Sequence, residues 1–283
     1  MNAAHRSYDE QAARWNGPAG HAWVDLQEVL NGMFSGIEEL LVDAVATEHP
    51  ASALDVGCGT GALTRAVARR AGRCVGVDLS GPMIEAARAR AEQEGVPASF
   101  IEADAQEYAF EPAAFDAVVS RFGVMFFSDP VRAFANLRST MKDGAGLRCV
   151  VWRGAEENPF MTTAERAAAP FLPELPVRRP DEPGQFAFAD PGRVHHVLTE
   201  SGWAGIDIRP VDVPCALPEK DLVTYFSRLG PLGTVLPDAD ERTRAEIVKV
   251  VRPAFDPFVQ GTEVRYTAAC WMVSARAAGA KLS

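Results

Sequence analysis

The amino-acid sequence predicts an α/β fold built on a doubly wound, mostly parallel sheet of seven strands. Between residues 51 and 151, short runs rich in Val and Ile alternate with Ala-rich stretches of helical period, which is the pattern of βα units. Two further strand-like runs follow at 205–213 and 263–274. The 283 residues suffice to bury one large core, so we expect a single elaborated domain over 1–283.

The central part of the chain supplies five of the predicted strands and the helices between them. The strands are predicted at 52–56, 74–78, 99–102, 115–120 and 146–152. The helices are predicted at 62–71, 82–94 and 130–141, and Pro82 suits a first helical turn. This alternation makes residues 49–152 the core of the predicted domain.

The segments on either side of this core predict a cap and a lid. Residues 1–48 carry apolar side chains at helical spacing before the first strand, which predicts a cap of one or two helices. Residues 153–190 are rich in proline, which predicts an irregular lid. The C-terminal part, 191–283, begins with a predicted helix that has Asp190 as its N-cap and Gly202 as its C-cap. A helical insertion is expected later in this part, at about 219–259.

The composition argues against several classes of protein. With 47% hydrophobic and 23% charged residues, the chain is of the ordinary globular kind. The formal net charge of -10 argues against a broad phosphate-binding surface, so we expect no nucleic-acid partner. No apolar run reaches the roughly 18 to 20 residues of a membrane span, and the N-terminal segment lacks an apolar signal core. We therefore expect a cytoplasmic protein, and a homo-oligomer stays open.

We expect no metal site. The cysteines are scattered and form no paired motif, which argues against a zinc site or a disulfide framework and favours a role as small hydrophobic residues. They are Cys58, Cys74, Cys149, Cys215 and Cys270. His195 and His196 are neighbours in a predicted helix, where adjacent side chains point about 100° apart and cannot readily share a metal ion.

The turn after the first strand carries the clearest binding motif. Gly57, Gly59 and Gly61 alternate with other residues there, and Asp55 stands two positions before the first glycine. Glycine permits positive φ and a close approach of ligand atoms, and the start of the following helix offers free amides. The motif is not a phosphate loop, because no Gly-Lys-Ser or Gly-Lys-Thr follows it. It therefore predicts a polar ligand other than a nucleoside triphosphate.

Two carboxylates follow the second and third predicted strands. Asp78 ends the second strand, where a carboxylate can accept both hydroxyl protons of a ribose. Asp104 follows the third strand and can accept a bond from an exocyclic amine. Because both carboxylates lie at the same edge of a parallel sheet, they predict a ligand such as an adenosine.

Taken together, Asp55-x-Gly57-x-Gly59-x-Gly61, Asp78 and Asp104 resemble the motif set of class I S-adenosylmethionine-dependent methyltransferases, over residues 50–155. The segment around Trp15 is similar to the lead-in helix of small-molecule members related to ubiquinone and menaquinone biosynthesis. The resemblance implies a reversed terminal hairpin in the sheet, a cofactor-binding core at 49–152 and S-adenosyl-L-methionine as the cofactor. The residues expected at the cofactor are Trp15, Asp55, Gly57, Cys58, Gly59, Gly61, Asp78, Leu79, Met83, Asp104, Ala105, Arg121 and Phe122.

Several of these residues also have a structural interpretation. Asp55 points toward a helix N-terminus and is either a structural residue or a partner of the cofactor amine. Arg121 pairs either with a carboxylate of the cofactor or with a neighbouring acid. Asp78 alone would cap a helix and Asp104 alone would stabilise a turn, but their joint position favours ligand contact. The aromatic segment 122–127 is expected to line the cofactor and the acceptor.

The resemblance implies in-line transfer of a methyl group to a hydrophobic small molecule. Because the donor is already activated, the protein mainly supplies alignment and a dry pocket. The acceptor atom stays open among oxygen, nitrogen and carbon, and no catalytic residue is assigned. His5 and His21 are candidate bases only because the N-terminal segment could fold over the pocket. The alternatives are a nicotinamide-dependent oxidoreductase, which would need GxGxxG and a catalytic Tyr-Lys or His, and a noncatalytic S-adenosylmethionine-binding domain.

Overall fold

The structure is a computed structural model that describes residues 3–176, 178–179 and 182–278, and for residues 3–9 it describes the backbone alone. Its strands form one sheet with the order β3-β2-β1-β4-β5-β8-β6, and the two-residue β7 pairs with the start of β8. The strands are β1 (Ser52–Val56), β2 (Arg73–Asp78), β3 (Ala98–Glu102), β4 (Phe115–Arg121), β5 (Met141–Trp152), β6 (Trp203–Pro218), β7 (Val259–Gln260) and β8 (Glu263–Ala277). Strands β1 to β5 pair in parallel, whereas β8 runs antiparallel to both β5 and β6. The predicted α/β fold is confirmed.

Helices precede, connect and follow these strands. They are α1 (Ala3–Asn16), α2 (Pro18–Asp25), α3 (Gln27–Met33), α4 (Ser35–Ala46), α5 (Ala62–Ala71), α6 (Gly81–Glu94), α7 (Pro130–Ser139), α8 (Pro159–Ala168), α9 (Pro191–Glu200), α10 (Leu222–Arg228), α11 (Leu232–Val235) and α12 (Glu241–Ala254). Helix α4 packs against α5, β4 and β5, and α6 packs against β3. The four residues of β1 after Ser52 are all buried, so both faces of the central sheet are covered.

Most predicted elements of the core have the expected positions. β1 and α5 have the predicted bounds, and glycines with positive φ, Gly61 and Gly72, mark the two ends of the helix. The helix predicted to end at residue 141 ends at Ser139, because Met141 already begins β5. Asp190 is the N-cap of α9, as predicted, since its side chain accepts a hydrogen bond from the Gly192 N–H at 2.9 Å.

Three predictions about the outer segments were wrong in detail. The N-terminal cap contains four helices, not one or two, because the chain also turns at the buried apolar residues Leu26 and Phe34, which carry no Gly or Pro signal. The predicted irregular lid contains α8, because Pro159 occupies the first helical turn, where a missing N–H costs nothing. The C-cap of α9 is Ser201, one residue before Gly202.

Most of the buried apolar side chains from Leu26 to Ala277 form one contiguous cluster, which includes strand, cap and lid residues, and a second, smaller cluster contains Cys58, Ile84, Ala87, Ala91 and Phe100. The division into cap, core, lid and C-terminal part stays a prediction. Within the described ranges, no helix combines the length and apolar character that a bilayer crossing requires. All five cysteines are buried free thiols, and burial raises the pKa of each of them.

Candidate active site

A cavity of about 1160 Å³ opens at the carboxyl ends of the parallel strands. Val56, Asp78, Arg121 and Trp152, the last residues of β1, β2, β4 and β5, all line it. The strand order reverses here, because β2 and β4 lie on opposite sides of β1 in the sheet. In open α/β sheets this edge, at the point of reversal, is where ligands bind.

Most of the residues expected at the cofactor line this cavity. They are Trp15, Gly57, Gly59, Asp78, Leu79, Met83, Asp104, Ala105, Arg121 and Phe122. Asp55, Cys58 and Gly61 do not line it. A Cβ on Gly61 would lie 2.7 Å from the Phe100 ring, so this glycine permits packing within the fold. Cys58 likewise faces Gly76 of β2.

The glycine turn brings backbone to the cavity wall in two different ways. Gly57 has a φ of +65°, and a Cβ on it would lie 2.5 Å from the Gly123 Cα, so only glycine lets the turn after β1 contact the turn after β4. Gly59 has a φ of +53°, and a Cβ on it would meet only the Met83 sulfur, at 3.6 Å. Gly59 therefore leaves room for a ligand beside its backbone.

Asp78 is held by this turn while keeping capacity for a ligand. Its Oδ2 accepts a hydrogen bond from the Gly59 N–H at 2.8 Å, and its Oδ1 accepts one from the Ser80 N–H at 2.9 Å. A carboxylate has about four acceptor positions, so each oxygen retains one. Burial raises the pKa of Asp78, and the backbone hydrogen bonds oppose that shift.

The turn after β3 carries a second polar group of the cavity. Asp104 Oδ1 accepts a hydrogen bond from the Gln106 N–H at 2.9 Å, and Gln106 Oε1 in turn accepts one from the Asp129 N–H at 2.8 Å. Within the described part of the chain, the Ala105 N–H has no acceptor. Asp104 and Ala105 thus present an acceptor and a free donor side by side. Gln106, which also lines the cavity, was missed in the sequence.

Helix α1 closes one side of the cavity and is anchored to the turn after β2. The Trp15 carbonyl accepts a hydrogen bond from Ser80 Oγ at 2.6 Å. The Asn16 side chain donates to the Leu79 carbonyl at 3.2 Å and accepts from the Gly81 N–H at 2.8 Å. Asn16 was also missed, because its partners lie more than 60 residues away.

Of the two candidate bases in this N-terminal region, His21 does not reach the cavity. His21 is exposed, does not line the cavity, and its Nδ1 lies 2.9 Å from the carbonyl oxygen of Gly17, one turn before it. The His5 side chain lies outside the described residues. The described lining includes neither histidine nor lysine. We therefore do not propose His21 as a base.

Asp55 and Arg121 lie in a buried network next to the glycine turn. Asp55 is 1% exposed, and its Oδ2 accepts a hydrogen bond from Thr64 Oγ1 at 2.6 Å, whereas Oδ1 has no partner. Burial raises the pKa of Asp55 to about 7, against the opposing effects of Thr64 and Arg121. Arg121 Nη1 lies 3.5 Å from Glu38 Oε2, so Arg121 has the neighbouring acid that the sequence left open.

An aromatic wall follows at the ends of β4 and β5. The rings of Phe122 and Trp152 stack with centroids 4.5 Å apart and an interplanar angle of 8°. Phe34 packs edge-on against both, at 5.4 Å and 6.1 Å. Phe34 and Trp152 were not predicted as site residues, because Phe34 stands in the cap and Trp152 reads as strand core.

The lid and the C-terminal helices form the far end of the cavity. Its lining there includes Phe160, Met161, Glu165, Arg178, Phe186, Tyr225, Phe226, Leu229 and Phe255. Arg178 Nε donates to both carboxylate oxygens of Glu165, at 3.0 Å and 2.8 Å, and its Nη1 donates to Gln185 at 2.8 Å. These bonds join α8 to the later part of the lid. The partner of the Tyr225 hydroxyl is a weak acceptor, the Met161 sulfur at 3.5 Å.

Comparisons with known proteins agree with this geometry. Residues 53–144 match the family model described as a methyltransferase domain. Over 108 residues the chain is 37% identical to a demethylmenaquinone methyltransferase of Thermus thermophilus, covering 38% of this chain and 49% of that relative. It is 25% identical to a demethylmenaquinone methyltransferase of Renibacterium salmoninarum, covering 71% of this chain and 86% of the relative. The chain thus spans about half the length of the first of these relatives.

Among solved structures, the YcgJ protein of Bacillus subtilis is similar, with a TM-score of 0.58, 15% identity, and coverage of 86% of this chain and 98% of that one. At this identity the likeness establishes the fold alone. The family match spans β1 to β4 and contains the glycine turn, Asp78 and Asp104. Residues 53–144 therefore form a methyltransferase domain, in agreement with the resemblance of its motifs to those of class I S-adenosylmethionine-dependent methyltransferases.

Proposed function

We propose that this chain transfers a methyl group from S-adenosylmethionine to a hydrophobic small molecule that carries a planar ring. One observation carries the proposal. A row of polar protein groups that suit the cofactor lies along one sheet edge, next to an aromatic chamber, the part of the cavity lined by Phe34, Phe122 and Trp152. Asp104, Asp78 and the Gly57–Gly59 turn follow β3, β2 and β1, which are neighbours in the sheet. Phe122 and Trp152 follow β4 and β5, the next two strands.

The residues present fit this cofactor group by group. Neighbouring strands lie about 4.8 Å apart, so β3 to β1 span roughly 10 Å along the edge. Asp104 and the free Ala105 N–H would hold the adenine edge, and the two open acceptor positions of Asp78 would hold the ribose hydroxyls. The open side of Gly59 would admit the amino-acid portion. These assignments use Gly59, Asp78, Asp104 and Ala105, which are among the residues expected at the cofactor from the sequence.

The cavity is also large enough for two ligands. Its volume of about 1160 Å³ exceeds the roughly 300 to 1,000 Å³ typical of a site for one small molecule. The bound cofactor would supply an activated methyl group, so this chain needs only to align the acceptor and exclude water. The aromatic wall and the apolar lid residues suit that role.

The acceptor is proposed as a class. The curated relatives are named for methylation of demethylmenaquinone, for an O-methylation in ubiquinone biosynthesis, and for methylation of malonyl-[acyl-carrier protein]. Two of these names specify transfer to oxygen, and the name of the demethylmenaquinone methyltransferase specifies no acceptor atom. The stacked Phe122 and Trp152 rings, with Phe34 beside them, favour a planar ring over an acyl chain.

The experiment uses the whole chain with isotopically labelled S-adenosylmethionine and a panel of phenols, quinols, amines and thiols. We expect label to appear in at least one ring-bearing acceptor, with equimolar S-adenosylhomocysteine. Binding of S-adenosylhomocysteine without label transfer to any panel member would favour the noncatalytic binding domain. Binding of NAD in place of S-adenosylhomocysteine would favour the oxidoreductase, which the lysine-free described lining already disfavours. Methylation of RNA or peptides alone would refute the proposal.

A further inference from the structure

The guanidinium of Arg121 lacks hydrogen bonds at the boundary of the cofactor turn and the aromatic chamber. Its side chain is 13% exposed and lines the cavity. Its Nη1 is buried without a hydrogen-bond partner, since Glu38 Oε2, at 3.5 Å, meets the distance of an ion pair but not the geometry of a hydrogen bond. Within the described ranges, the guanidinium donates no hydrogen bond at all. Buried donors without a partner are uncommon, and this one borders the cavity, so it is available to bind a ligand atom.

The surroundings of Arg121 indicate which ligand atom that is. Arg121 ends β4, and Gly123, two residues later, touches Gly57 of the cofactor turn. The guanidinium carbon lies 5.8 Å from the centre of the Phe34 ring, which is part of the aromatic wall. Arg121 therefore lies one strand beyond the glycine turn, on the side of the chamber that we assign to the acceptor.

We propose that Arg121 binds the reacting oxygen of the acceptor as an oxyanion. This inference rests on the proposed function. A guanidinium presents a rigid fork of donors that suits an anionic oxygen, and a cation within about 4 to 6 Å lowers the pKa of a hydroxyl group. The cavity then needs no general base, in agreement with a described lining that has no histidine. The acceptor is thus an acidic hydroxyl on a planar ring.

The reaction balances with this role. The hydroxyl proton leaves to solvent when the acceptor binds beside Arg121. The acceptor oxygen then forms a bond to the methyl carbon while the carbon–sulfur bond breaks and sulfur keeps its electron pair. Arg121 keeps its own proton throughout, because it acts by charge and hydrogen bonding.

Two carboxyl groups face Arg121, and a test of its role must separate their charges from that of the guanidinium. Glu38 approaches from α4, and Asp55 approaches from β1. Because the pKa of Asp55 is raised to about 7, its charge changes in the range where a phenol would titrate. Asp55→Asn therefore serves as the control that removes this second titration while leaving Arg121 in place.

The test measures ionisation of a bound phenol, without turnover. The protein is saturated with S-adenosylhomocysteine, 4-nitrophenol is added, and the phenolate absorbance is followed against pH. We expect the bound phenol to ionise about one pH unit or more below the free phenol. Arg121→Met abolishes this shift, Arg121→Lys retains part of it, and Asp55→Asn retains it. The affinity for S-adenosylhomocysteine stays within about two-fold of wild type in both Arg121 variants, because the inference assigns Arg121 to the acceptor.

Each contrary outcome has a separate meaning. If the pKa shift of the bound phenol persists in Arg121→Met, or if 4-nitrophenol does not bind, the inference is overturned and the proposed function is not affected. A ten-fold or larger loss of S-adenosylhomocysteine affinity in Arg121→Met assigns the guanidinium to the cofactor carboxylate and also overturns it. If wild type does not bind S-adenosylhomocysteine, the proposed function fails and the inference with it. Melting temperatures identify a variant that does not fold, and Arg121→Lys then carries the comparison.

Discussion

Replacing Asp55 by asparagine removes a buried ionisable group while nearly preserving its shape. Asp55 is fully enclosed, and only one of its carboxylate oxygens has a hydrogen-bond donor, Thr64 Oγ1 at 2.6 Å. An asparagine oxygen accepts the same bond, so Asp55→Asn tests the charge more than the packing. Burial raises the pKa of Asp55 from 3.8 to about 7, and the variant has no such titration.

The sign and size of the effect follow from this raised pKa. Between pH 3.8 and about 7, the folded chain keeps a proton on Asp55 that the unfolded chain has lost. The free energy of unfolding of wild type therefore falls as the pH rises through this window. A pKa difference of about 3 units corresponds to roughly 4 kcal/mol, all of it lost above pH 7. Relative to wild type, Asp55→Asn gains stability over the same window.

Urea unfolding at several pH values between about 5 and 8 measures this difference. We expect the variant to gain about 1.4 kcal/mol per pH unit well below pH 7, and the gain to level off by about pH 8. The matched control is Asp116→Asn. Burial tends to raise the pKa of Asp116, but bonds from Lys142 and Ser52 outweigh it and lower the pKa below 3.8, so Asp116 has no transition in this range. Parallel wild-type and Asp55→Asn curves would refute the reasoning.

Two further predictions concern the turn and the lid. Gly57→Ala should cost about 3 kcal/mol of stability, from its positive φ and the 2.5 Å approach to Gly123, whereas Gly95→Ala, with positive φ but open space, should cost about 1 kcal/mol. Chemical denaturation checks this, and equal losses would contradict it. Glu165→Gln breaks the charged bond to Arg178 that joins α8 to the later part of the lid, so the KM for an acceptor that the enzyme methylates should rise about two- to five-fold with S-adenosylhomocysteine affinity unchanged. Glu246→Gln, in an exposed pair with Arg242, is its control, and an equal effect there would contradict a role for the lid.

The central sheet could be predicted from the sequence because its signals are local. Ser52–Val56 is a short run with Ala53, Leu54 and Val56 as its apolar residues, and Gly57 follows it directly, so its bounds follow from the local pattern. Asp78 and Asp104 could be assigned to one cavity because parallel strands present their carboxyl ends at one edge. Neither inference required knowledge of a distant contact.

The parts of the site that depend on distant pairs could not be predicted. Arg121 forms an ion pair with Glu38, 83 residues earlier in the chain, and the spacing of the two residues gives no sign of this contact. The same holds for Phe34, which reaches the wall from the cap. The prediction at Pro159 was wrong for a different reason. Proline interrupts a helix interior but is favourable in the first helical turn, so the proline-rich composition of the lid did not reveal that α8 begins at Pro159.

The central claim is that the Asp78 edge of this cavity binds S-adenosylmethionine. Calorimetric titration with S-adenosylhomocysteine tests it most directly, using wild type, Asp78→Asn and the exposed control Asp143→Asn. We predict one site per chain, an affinity reduced by about ten-fold or more in Asp78→Asn from the loss of charged hydrogen bonds, and no change in Asp143→Asn. Absence of binding by wild type, or equal affinity in wild type and Asp78→Asn, would contradict the account.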